Sequence, residues 1–322
     1  MFPNAVKNSF RNIAKVPKVT HSDILYSLRV KHKCMFNDRN NTRALSFKSN
    51  QDDESSQSNN NNNPRNRPVV HLSSAIGVKY HGKEIGSSYP ITPHEVSPPR
   101  SISLSNISIP DYARNGTSEK YNDDSITIHD STSIQKIRTA GELARNTLDM
   151  AISMARQGAN KISTDSIDEA IHNAILNANA YPSLLRYNGF PKSSSSSINE
   201  VLYRGVPDSR LLQNGDVLTL ELGIYLGGVH ASTSKTILVG NNDLSDDENE
   251  RKRWTRAQRL ISASQEALET ALQVCVNGGC ISKIGKYIQQ VADDYDYQIV
   301  PKICGSGIGS FLHMPPAVKV RT

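Results

Sequence analysis

Residues 216–240 read DVLTLELGIYLGGVHASTSKTILVG, and their alternation decides the fold class. Leu218, Leu220, Leu222 and Ile224 fall on one face, with Thr219, Glu221 and Gly223 on the other. That is the period of two expected of a strand with one apolar side. Gly227-Gly228 suits a two-residue hairpin turn, so residues 229–239 return as a second antiparallel strand. With that turn Gly223 pairs with Ser232 and Glu221 with Ser234, which makes Glu221 and Ser232 diagonal neighbours on one face.

Helical patterns lie on both sides of the hairpin. From about Ser131 a stripe of Ile134, Ile137, Ala144, Leu148 and Ala155 runs to Gly158, a C-cap. A second helix starts near Thr164 with Asp165 and Asp168 in its first turn, carrying Ile167, Ile171, Ala174 and Ala178 inward. Between it and the hairpin, AYPSLLRYNGFPKSSSSSINEVLYRGVPDSR (180–210) reads as turn-rich and irregular, with Ser193 to Ser197 a flexible polar loop. No His/Asp pair is placed by sequence to activate any of those serines as a nucleophile. After the hairpin, an acidic loop from Asp243 to Glu250 leads to a helix over Trp254 to Val276, stopped by Asn277-Gly278-Gly279. A shorter helix follows from about Ile281 to Asp293.

Composition limits the function classes. Of 322 residues 37% are apolar and the mean hydropathy is -0.49, low for a chain that is all core. The formal charge of +6 (Lys+Arg 37, Asp+Glu 31) is too mild for a dedicated nucleic-acid binder, so that partner is not expected. No apolar run reaches the ~18 residues of a membrane span. Cys34, Cys275, Cys280 and Cys304 miss the paired spacing of structural zinc and read as ordinary thiols. Gly305-Ser306-Gly307-Ile308-Gly309 lacks the strand–loop–helix context of a dinucleotide fingerprint.

Three regions follow. Residues 1–48 form a basic, targeting-like segment. Phe2, Val6, Phe10 and Ile13 make one stripe and Lys7, Arg11, Lys15 and Lys18 another, with no acidic residue before Asp23. This predicts mitochondrial import, with a cytoplasmic location as the alternative. Residues 49–101 are an Asn/Ser/Pro-rich linker, expected to be disordered through its asparagine run and extended beyond it. Residues 102–322 carry the strong periodicity and form the folded domain.

Three long segments in register carry a family resemblance: AYPSLLRYNGFPKS, SINEVLYRGVPDSRLLQNGDVLTLELGIYLGGVHASTSKTILVG and ICGSGIGSFLH. Together they resemble type I methionine aminopeptidases, the mitochondrial-type members in particular. The resemblance implies an α/β (α+β) pita-bread fold, a curved antiparallel sheet backed by helices. It also implies metal-assisted removal of the initiator methionine from nascent or mitochondrial protein N-termini. The family uses two divalent ions (Co, Mn, Fe or Zn) to activate a bridging water and polarise the scissile carbonyl. They are held by two hairpin aspartates, a histidine in a G-H-G-I-G turn and two later glutamates.

Carried onto this sequence, the first aspartate falls on Glu221, the second on Ser232 and the turn histidine on Ser306. A substrate-contact histidine falls on Arg204, in Arg204-Gly205-Val206-Pro207, and another is retained as His313. The sequence ends at Thr322, before the family's last strands and glutamates. The expectation is therefore a partial pita-bread domain with one surviving ligand-type carboxylate and no bound metal. It would be a pseudoenzyme or fragment, in which an apolar sheet face stays uncovered unless a protein partner covers it. His230, in line with Ser232, is read as a partly exposed strand residue, and His313 as a residue hydrogen-bonding in an idle cleft. Two further readings are an active mitochondrial methionine aminopeptidase with a rebuilt site, and a non-catalytic ribosome- or partner-binding module using the N-terminal basic residues.

Overall fold

The computed structural model describes residues 36–38, 94–102, 106–116, 125–241, 247–300 and 303–320. The amphipathic start and the asparagine run lie outside them. In chain order the elements are β1 (Phe36–Asp38), α1 (Asp111–Asn115), α2 (Ser131–Gln157), α3 (Thr164–Asn177), β2 (Tyr181–Pro182), a 3-10 turn (Tyr187–Gly189) and β3 (Ser194–Ile198). Then come β4 (Val217–Leu226), β5 (Val229–Leu238), α4 (Glu248–Leu272), α5 (Ser282–Asp294), β6 (Tyr297–Ile299), β7 (Cys304–Gly307) and β8 (Met314–Lys319).

The hairpin forms in the register its turn dictates. Gly227 and Gly228 adopt φ of 60° and 87°, the positive values that a tight two-residue turn needs and that a side chain would resist. Glu221 then pairs with Ser234 and Gly223 with Ser232. On its other side β4 is paired antiparallel by two short strands end to end, β2 at Tyr225–Ile224 and β3 along Leu222–Leu218.

The apolar face of β4 does not stay uncovered. Leu218, Leu220, Leu222 and Ile224 are fully buried, in one cluster with Leu148, Ala151, Ile167, Ile171 and Ile175 of α2 and α3. Fully burying side chains of this size stabilises by about 1.5–3 kcal/mol each. α2 ends at Gly158 and starts where Asp130 accepts from the Ser133 N–H at 2.7 Å. α3 buries Ile167, Ile171 and Ile175, while Ala174 and Ala178 are only half-buried.

A second cluster joins α4, α5, β6 and β8, centred on Ala267, Ile288, Ala292 and Val318. α4 begins six residues before the apolar stripe that announces it, because Asp247 caps the Asn249 N–H and Glu248 and Glu250 favour the first turn. A third cluster, Tyr112, Tyr181, Leu184, Leu185, Tyr187, Ile308 and Leu312, ties α1 and the segment after β2 to the turn between β7 and β8.

Candidate functional site

The serine run is not a loop. Ser194–Ile198 is a strand, and every residue from Ser193 to Ser197 is buried. A polar run can be a strand because its backbone pairs with β4 on one side and, at Ser196, donates to the Gly205 carbonyl on the other, while the Ser193, Ser194 and Ser197 hydroxyls find local partners. Ser195 lies beside Glu221 and Ser197 beside Thr219. The polar face is therefore assembled from three strands: Ser195 and Ser197, then Thr219, Glu221 and Tyr225, then His230, Ser232, Ser234 and Thr236. Thr219 and Thr236 share a hydroxyl hydrogen bond of 2.9 Å. The buried Ser232 Oγ has no hydrogen-bond partner among the described residues.

His230 is fully buried, which corrects the expectation of a partly exposed residue. Its Nδ1 lies 2.9 Å from Ser183 Oγ, and its ring stacks on Tyr112 and leans on Tyr225. The His230 N–H also donates to the Gly309 carbonyl at 2.6 Å, which ties the glycine-rich turn to the hairpin. A histidine bracketed by rings is a packing element, and alternation alone could not reveal the rings.

Arg204 sits among aromatic rings. Its guanidinium lies over Tyr203, Tyr187 and Phe190, at 5.2, 5.4 and 5.6 Å from their centroids, and its Nε donates to the Tyr203 hydroxyl at 2.8 Å. On Tyr187 the His313 ring is tilted at 5.6 Å, and His313 Nδ1 lies 3.1 Å from Ser306 Oγ. Arg204, His313 and Ser306 are thus linked through Tyr187, while Glu221 and Ser232 lie on the sheet face. Gly205 positions Arg204: its N–H donates to Ser197 Oγ at 3.1 Å, and a Cβ there would stand 2.2 Å from the Ser196 carbonyl oxygen. Only glycine allows that approach.

A charged cluster beside β3 escaped the sequence reading. Lys192, its side chain fully buried, donates to Asp165 Oδ1 at 2.5 Å and Ser97 Oγ at 2.6 Å. Arg100 reaches Asp165 at 3.0 Å and Asp168 at 2.6 Å, and Asp168 accepts from both the N–H and the hydroxyl of Ser194. Burial alone would raise the Asp165 carboxyl, but donors from Lys192, Ser97 and Arg100 outweigh it and hold it below its ordinary value. Deeper Asp168 is pushed up by burial despite its Ser194 donors, and burial pushes His172 down.

His172 Nδ1 lies 2.7 Å from Ser193 Oγ, so a histidine does meet the serine run. Both residues are at most 3% exposed, which leaves a substrate no approach, and the pair is structural. The sequence carries a signal for one corner of this cluster only: Asp168 and His172 stand four apart on the helix that buries Ile167, Ile171 and Ile175.

Among the described residues no group of three or more His, Cys, Asp or Glu side chains is placed to hold a metal ion. At the positions onto which the family resemblance carries metal ligands stand one buried carboxylate, Glu221, and two hydroxyls, Ser232 and Ser306. A neutral hydroxyl neither offsets the charge of a divalent ion nor matches the carboxylate and imidazole donors such sites use. These residues do not fit a metal pair.

Residues 135–321 match the model of Metallopeptidase family M24. The chain belongs to that family. It is 38% identical over 60% of its length to methionine aminopeptidase 1D, chloroplastic/mitochondrial, of Arabidopsis thaliana, and covers 51% of that protein. It is 40% identical over 61% of its length to methionine aminopeptidase 1D, mitochondrial, of Dictyostelium discoideum, covering 45% of it. The chain thus spans about half the length of these curated relatives. The crystal structure of methionine aminopeptidase from Rickettsia prowazekii superposes with a TM-score of 0.53 at 30% identity, over 61% of this chain and 74% of that one. The pita-bread class of an M24 peptidase, expected from the sequence, is therefore the fold of this chain.

Proposed function

We propose that this M24 chain is a methionine-aminopeptidase-like protein whose cleft carries no metal pair and little or no peptidase activity. It would act as a binding module for protein N-termini or a protein partner, in mitochondria. The observation that carries the reading is the donor set: Glu221 lies diagonal to Ser232 on the hairpin, Ser306 is bonded to His313, and Arg204 brings a positive charge to Tyr187, the ring on which His313 leans. Two divalent ions a few ångströms apart repel by many kcal/mol unless anionic ligands offset them, and a single carboxylate at these positions does not. The mitochondrial location is supported by the basic amphipathic N-terminal sequence and by the names of relatives.

The test is metal analysis of the purified full chain after incubation with Mn, Co, Fe or Zn and desalting. Less than one metal per chain is expected, and two would overturn the reading. Hydrolysis of Met-Ala-Ser that disappears on Glu221→Ala would overturn it equally, in favour of an active enzyme with a rebuilt site.

A further inference from the structure

Arg204 is built into the cleft in a way that an incidental surface cation is not. Its backbone takes φ of 55°, a left-handed conformation costly for a residue with a side chain, and is held there by the Gly205 contacts to Ser196 and Ser197. The guanidinium carbon then lies over three rings, and Nε is occupied by the Tyr203 hydroxyl. Among the described residues no hydrogen bond or ion pair engages Nη1 or Nη2. The half-buried residue therefore keeps two donors that no described residue engages. A planar fork held among rings with both Nη groups unengaged matches the two oxygens of a carboxylate. The neighbouring rings of Tyr187, Phe190 and Tyr203 offer apolar contact to whatever carries the carboxylate.

We propose that Arg204 makes this cleft a binding site for the free carboxylate of a peptide or acylated amino acid. The inference rests on the reading that no metal pair sits beside it, since two cations would reorganise the ligand's charges. N-acetyl-leucine and its neutral amide are the probes, titrated against the full chain by calorimetry with and without a chelator. The acid binds, the amide binds about tenfold more weakly or not at all, and Arg204→Lys, which keeps the charge but loses the fork, weakens the acid about tenfold. Arg204→Gln, judged folded by its unfolding temperature, abolishes acid binding. Equal affinities for acid and amide, an Arg204→Lys titration matching the unaltered chain, or tighter binding of inorganic phosphate than of the acid would each overturn the proposal. Acid binding that vanishes only with the chelator would indict the metal-free reading, whereas insensitivity to Arg204→Lys would indict the arginine.

Discussion

Replacing Asp165 with alanine strands a buried ammonium. Lys192 Nζ has two partners, Asp165 at 2.5 Å and Ser97 at 2.6 Å, and its side chain has no exposed surface. Without the carboxylate, the lysine keeps one neutral hydroxyl. Removing one partner of a buried ion pair costs about 3–5 kcal/mol. Arg100 retains Asp168 at 2.6 Å, so its own loss is small. A domain of this size loses about 2–4 °C of Tm per kcal/mol, which puts the expected drop at about 6–20 °C. Urea and thermal unfolding of the full chain, followed by circular dichroism, measure it. Adding Lys192→Met to Asp165→Ala removes the stranded charge and recovers part of the loss. Because the folded-state carboxyl of Asp165 lies below its ordinary 3.8, its contribution is present above that value and lost as pH falls through the folded one. The difference between the two proteins therefore closes in acid. A loss under about 1 kcal/mol, or a second substitution that adds to the damage, would refute the reasoning.

Two further outcomes follow from the same region. Burial holds the folded-state value of His172 below 6.5, so the unfolded chain takes up a proton first and stability falls as pH drops below that value. His172→Gln flattens this part of the pH–stability curve measured in urea. Gly205→Ala drives a Cβ to 2.2 Å from the Ser196 carbonyl oxygen and costs about 1–3 kcal/mol, read as a lower Tm with weaker protection of the β3 amides in hydrogen exchange.

The hairpin, its register and four of the helices were legible because each has a strong period: two in Val217–Leu226, and three to four in Ser131–Gln157, Thr164–Asn177, Glu248–Leu272 and Ser282–Asp294. β3 was not legible, since Ser193 to Ser197 carry no apolar alternation and serine favours turns; the strand exists through its β4 partner and the Asp168 carboxylate. The five site positions, Arg204, Glu221, Ser232, Ser306 and His313, came from family resemblance. What the sequence could not show was the company they keep. The rings around Arg204 come from positions 187, 190 and 203, and those around His230 from positions 112 and 225. The charged cluster was hidden for a related reason. Lys192 and Arg100 are separated from Asp165 by 27 and 65 residues, and only the tertiary fold pairs them.

β2 and β3 occupy one flank of β4 in succession, and the chain departs between them, from Ser183 to Ser193, before resuming the ladder. The Ser183 N–H still closes on the Gly223 carbonyl at 2.8 Å, so the departure leaves almost no gap in the pairing. Tyr187 and Phe190 ride on this excursion. Residues gained, lost or exchanged there re-dress the ring lining of the cleft while the sheet beneath keeps its bonds. In a lineage, such a segment can change what the protein greets long before it changes how the protein folds.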